Sequence, residues 1–139
     1  MLLSLIQQHK ELGISEQIDY EKFYLYSIIT HSTAIEGSTV TELEAQLLFD
    51  EGITSQKRTL VEQLMNLDLK TAYDYGMKWI KHHEAITVSW LITLASKVMA
   101  RNGSEYHSLG GDFSAAKGEL RKLNVTAGFG GKSYCIVSI

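Results

Sequence analysis

The chain has 139 residues, of which 45% are hydrophobic and 21% charged, a globular composition on the length of one ordinary domain. Its net charge of −3 mixes 13 basic with 16 acidic residues, so no basic stripe is available to neutralise a phosphate backbone and nucleic acid is not expected as a partner. The single cysteine, Cys135, allows no internal disulfide and no cysteine–histidine spacing for zinc, so no metal site is expected and a reducing cytoplasm fits.

The opening Met1-Leu2-Leu3-Ser4-Leu5-Ile6 turns polar at Gln7-Gln8-His9-Lys10-Glu11, with no basic leader and no small-residue cleavage site, and is not read as a signal peptide. No apolar run approaches the ~20 residues that a bilayer requires, so no membrane is expected. Proline is absent where average usage near 5% would supply about seven, which favours long helices.

Leu2, Leu5, Ile6 and Leu12 have helix-compatible spacing, and Gly13 closes that first helix. A second helix begins near Asp19, sets Tyr20, Phe23, Tyr24, Ser27, Ile28, His31 and Ile35 along one broad face, and ends at Gly37. Thr41-Glu42-Leu43-Glu44 has the pattern of a capping box, and the short helix it opens stops at Gly52. From about Gln56 to His82, Leu60, Val61, Leu64, Leu67, Ala72, Tyr75, Trp79 and Ile80 predict the longest helix. Thr87 is the cap of a fifth, through Trp90, Leu91, Leu94, Val98 and Met99 to Asn102-Gly103. Beyond Gly103 glycines cluster, and the runs 123–127 and 133–137 flank Gly128-Phe129-Gly130-Gly131 as the arms of a β-hairpin. No GK[ST] follows those glycines, so they read as a turn and not as a phosphate loop. Tyr20, Phe23, Tyr24, Tyr73, Tyr75, Trp79 and Trp90 are expected in the core, and His31 at the border of its helix. His82 and His83 are adjacent and face apart, which does not suit a shared metal.

The informative segment is His31 to Thr41. Ser32 and Glu36 stand four apart and project from one face at the end of the second helix, where a carboxylate adds to the negative pole of the macrodipole at a cost of about 0.3 to 1 kcal/mol. A cation from elsewhere is the natural compensation. On these residues alone a solvated helix end is the ordinary reading.

The run Ser32 to Gly37 resembles the inhibitory motif of Fic-family proteins: serine or threonine, three residues, glutamate, then glycine or asparagine. Ile35-Glu36-Gly37 through Val40-Thr41-Glu42-Leu43-Glu44 is similar to that family's continuation into the next helix, and Asn66-Leu67 with Ala72 and the helix after Thr87 keep its spacing. Gly118-Glu119-Leu120-Arg121-Lys122-Leu123-Asn124-Val125 resembles the lead-in to the family's flap hairpin. Arg121 is left open between anchoring that hairpin and standing in solvent.

The resemblance implies a mainly α fold, an irregular bundle of about five helices, Fic-like and incomplete, with a C-terminal β-hairpin flap. It divides the chain into an N-terminal region, 1–54, carrying the inhibitory helix, and the N-terminal half of a Fic domain, 55–139. It also implies protein adenylyltransferase chemistry, AMP transfer from ATP to a protein hydroxyl, held in check when Glu36 occupies an arginine that ATP needs and Ser32 and Gly37 fix the helix end. Asn124, Val125, Thr126, Ala127, Gly128, Gly131, Ser133 and Tyr134 are the implied target-docking flap. ATP and Mg²⁺ belong to the complete family enzyme and are not expected on this chain alone. The family's catalytic signature, H-x-F-x-(D/E)-G-N-G-R-x-x-R, has no counterpart here, and Cys135-Ile136-Val137 replaces the proline-containing stretch expected after Tyr134. No catalytic residue is therefore assigned, and the chain is expected to be inactive by itself. Its expected partners are a protein target, the C-terminal half of a Fic domain, or a second copy meeting a face that the missing helices would cover. The alternative is an antitoxin-like subunit that is not an enzyme and supplies the inhibitory helix to a separate Fic protein.

Overall fold

The computed structural model describes residues 2–13 and 19–122, and the backbone of 125–127 and 132–134. The chain is mainly helical, and it forms two compact units, Met1–Ser55 and Gln56–Ile139.

The first unit holds α1 (Leu2–Glu11), α2 (Tyr20–Ile35) and α3 (Glu42–Asp50). Asp19 caps α2 by accepting from the Lys22 N–H at 3.0 Å. At Thr41 the capping box forms in full: Glu44 N–H donates to Thr41 Oγ1 at 3.3 Å and Thr41 N–H donates to Glu44 Oε2 at 2.9 Å. The core of this unit lies where α2 meets α3, around Tyr26, Ile29, Val40, Ala45 and Leu48.

The face that α2 buries differs from the one its apolar spacing predicts. Tyr26, Ile29, Thr30 and Thr33 point inward, whereas Tyr20, Phe23, Tyr24, Ile28 and Ile35 are exposed. The threonines are tolerated there because their hydroxyls donate back along the helix, Thr30 to Tyr26 O at 2.8 Å and Thr33 to Ile29 O at 3.1 Å, leaving methyl groups to pack. Tyr26 then reaches α3, donating its hydroxyl to Asp50 Oδ1 at 2.6 Å beside the Phe49 ring. Desolvation and that hydrogen bond push the Tyr26 phenol up to about 12. Three of the aromatics expected in the core, Tyr20, Phe23 and Tyr24, therefore lie on the surface, and so does His31, whose Nε2 is 3.3 Å from Glu42 Oε1.

The second unit packs α4 (Leu60–Lys81) on α5 (Val88–Val98). Here a second capping box, Thr59 with Glu62, starts α4 four residues later than apolar spacing suggests, because Glu62 Oε2 accepts from Thr59 N–H at 2.8 Å and fixes the first turn. Tyr75, Trp79 and Trp90 form an aromatic cluster at this contact, with Trp90 5.8 Å from Trp79 and 6.1 Å from Tyr75. Leu60, Val61 and Ile80 of α4 are exposed, and its buried positions include Gln63, Asn66 and Asp68. After α5 comes a short ladder that the sequence does not announce, β1 (Glu105–Tyr106) antiparallel to β2 (Phe113–Ser114), with the Tyr106 and Phe113 rings stacked at 4.7 Å. The expected hairpin is formed by β3 (Val125–Ala127) and β4 (Lys132–Tyr134), antiparallel, pairing Val125 with Tyr134 and Ala127 with Lys132.

Candidate functional site

The C-terminus of α2 is built as a Schellman turn. Glu36 is the cap, Gly37 takes a positive φ of 95°, Gly37 N–H donates to Ala34 O at 3.0 Å, and Ser38 N–H donates to Thr33 O at 3.0 Å. These bonds satisfy the Thr33 and Ala34 carbonyls and fix the direction in which the backbone leaves the helix at Glu36. Glycine is required at 37 by backbone conformation and not by space, because a Cβ added there would meet nothing within 4 Å.

Ser32 and Glu36 stand exposed one turn apart, flanking Ile35, which is 85% exposed. Among the described residues no cation lies within ion-pair distance of Glu36. The structure thus brings together Ser32, Glu36 and Gly37 at one helix end, where the carboxylate sits at the negative pole with no compensating charge among the described residues.

The flap residues belong to the other unit. Val125, Thr126 and Ala127 run along β3, and Ser133 and Tyr134 along β4; Asn124, Gly128 and Gly131 lie outside the described residues.

Two features of this unit escape a reading of the sequence. The first is Asp68, 1% exposed in the middle of α4. Its Oδ2 accepts from Arg101 N–H at 2.7 Å and from Asn102 Nδ2 at 3.0 Å, and its Oδ1 accepts from Arg101 Nη1 at 3.1 Å. One carboxylate thereby anchors the chain as it leaves α5. An aspartate between Leu67 and Leu69 was the only available signal, and its partners lie 33 and 34 residues away.

The second is a cleft of about 490 Å³ walled by α5, β1 and β2 and the segment 118–121, with Met99, Tyr106, Phe113, Leu120 and Arg121 among its lining residues. Gly118 sets one wall: its φ is 71°, and a side chain there would collide with the Ile92 carbonyl and the Ser96 backbone of α5. Glu119 secures the same segment, accepting from Ser114 N–H at 2.8 Å and donating its own N–H to Ser114 O at 3.1 Å. Arg121 is exposed on this wall and makes no ion pair among the described residues; the hairpin side chains that would decide between its two readings lie outside them.

Among the described residues no three histidine, cysteine, aspartate or glutamate side chains converge. No helix among them is long and apolar enough to cross a membrane. Comparison of the chain with protein-family models, curated proteins and solved structures finds no match.

Proposed function

We propose that this chain is the regulatory, N-terminal part of a Fic-type protein adenylyltransferase and that Glu36 is its inhibitory group. The observation that carries the reading is the end of α2, where the backbone is capped and fixed and the Glu36 carboxylate stands exposed one turn from Ser32 with no cation beside it among the described residues. A carboxylate so placed suits a guanidinium delivered by another segment, because the planar fork of arginine accepts either a carboxylate or a phosphate in two parallel hydrogen bonds. While Glu36 holds that arginine, the γ-phosphate of ATP cannot, and AMP transfer stops. Ser32 steadies the helix end and Gly37 allows it to turn away.

On this reading the five helices belong to an irregular Fic-like bundle and β3–β4 is the flap, which takes the backbone of a protein target as an added strand along residues 124–134. ATP and Mg²⁺ are supplied with the arginine-bearing signature, and the protein works in the cytoplasm, where one cysteine stays reduced. A second reading is favoured by Met1–Ser55 forming a unit of its own: α2 acts in trans, as an antitoxin-like subunit on a separate Fic protein.

The test is AMP incorporation into protein from labelled ATP, measured with the native polypeptide that contains this sequence and with its Glu36→Gly form. Release of inhibition is expected to raise incorporation at least tenfold, equivalent to about 1.4 kcal/mol. For the trans reading, the 139-residue chain is added to an active Fic enzyme, which it should inhibit, and its Glu36→Gly form should not. Equal incorporation in both experiments, with and without the carboxylate, rejects the function.

A further inference from the structure

The first unit contains a helix that no other element covers among the described residues. All ten residues of α1 are exposed, and among the described residues it packs against no other element. Its sequence is nonetheless amphipathic: Leu2, Leu5 and Ile6 share one side and Gln7, Gln8 and Glu11 occupy others. A helix of ten residues is marginal in water by itself and is held by packing of its apolar side. α1 therefore needs a cover.

The same unit presents a surface of matching chemistry and length. The N-terminal half of α2 exposes Tyr20, Phe23, Tyr24 and Ile28, with Tyr20 and Tyr24 stacked at 6.2 Å and Phe23 edge-on to Tyr24 at 5.6 Å. From Tyr20 to Ile28 the stripe rises about 12 Å, and the ten residues of α1 span about 15 Å. We infer that α1 of one copy lies on the exposed aromatic stripe of α2 in a second copy, and that the exchange is reciprocal, making a twofold dimer.

Area favours a second copy as the occupant. The half-exposed aromatics hold about 75 to 125 Å² each. With Ile28 and the three aliphatic side chains of α1, the apolar face reaches roughly 600 Å² per copy, most of the ~800 Å² per partner of a standard interface, and a reciprocal contact uses both patches at once. A membrane surface suits α1 less well, because its polar side carries one lysine where interfacial helices are rich in lysine and arginine. The dimer leaves the Ser32–Glu36 end of α2 uncovered, so it stands independently of the function proposed above.

The experiment is sedimentation of the full chain across the micromolar range, with circular dichroism to verify folding of every variant. A mass of twice 15.6 kDa that falls to the monomer in Ile6→Asp and in Tyr24→Asp, but not in Leu91→Asp at an exposed position of α5, is the expected result. A monomeric wild-type chain overturns the proposal, and so does a dimer indifferent to the first two substitutions. On a Cys135→Ser background, Leu5→Cys with Tyr24→Cys should give a disulfide between two chains; one within a single chain would mean that α1 covers its own α2, and would overturn it. A chain that is monomeric in buffer and sediments with anionic phospholipid vesicles would assign the face to a lipid surface instead.

Discussion

Replacing Asp68 with alanine should be among the most damaging single substitutions in the second unit. The carboxylate receives three N–H groups, from the Arg101 backbone, the Asn102 amide and the Arg101 guanidinium, and is itself almost wholly enclosed. Hydrogen bonds to an ionised group contribute about 1.5 to 3 kcal/mol each when buried. The guanidinium bond deserves little of that, since half of the Arg101 side chain is in solvent and an exposed ion pair is worth about 0 to 1 kcal/mol. Asn102 Nδ2 also keeps a second acceptor, Val98 O at 3.1 Å. The backbone N–H of Arg101 is the group left without a partner, at about 1 to 3 kcal/mol. Together these put Asp68→Ala near a loss of about 3 kcal/mol, the low end for breaking a buried pair. Arg101→Gln retains the backbone donor and should cost about 1 kcal/mol or less. Urea unfolding followed by circular dichroism measures both, and the Asp68→Ala loss should persist at high salt because the enclosed carboxylate is poorly screened. A loss below about 1 kcal/mol, or equal losses in the two variants, would refute the anchoring role.

Three further outcomes are expected. The fold favours the neutral Tyr26 phenol, so its contribution is intact below the ordinary value of 10.0 and disappears as pH rises toward about 12; a stability-against-pH curve should fall in that window for wild type and be flatter for Tyr26→Phe. Gly118→Ala combines a left-handed backbone with a collision against α5 and should lose about 2 kcal/mol or more, whereas Gly37→Ala meets only the backbone penalty of about 1 kcal/mol, a difference that thermal unfolding resolves. Glu36→Gln should stabilise α2 by about 0.3 to 1 kcal/mol at low ionic strength by relieving the helix terminus, and the gain should vanish in ~1 M salt.

Much of this architecture is written locally. Thr41 and Glu44, three residues apart, announce a helix start because both groups of the capping box lie within one turn, and Gly37 marks a helix end because few other residues take its φ. Ser32 and Glu36 fall together for the same reason. The inward face of α2 is illegible by residue type, since Thr30 and Thr33 count as polar until their hydroxyls are seen to turn back on the helix. Asp68 is illegible because a solvated and a buried aspartate look alike until a partner 33 residues away comes into place. The β1–β2 ladder, two residues per strand, is too short to show an alternating pattern.

Both tryptophans of the chain, Trp79 and Trp90, belong to the aromatic cluster between α4 and α5, and Met1–Ser55 has none. Intrinsic fluorescence excited at the indole band therefore originates wholly in the other unit and not in the helix that carries Glu36. A denaturation curve that is earlier or later by tyrosine absorbance than by indole emission would resolve the two halves of the molecule without any label.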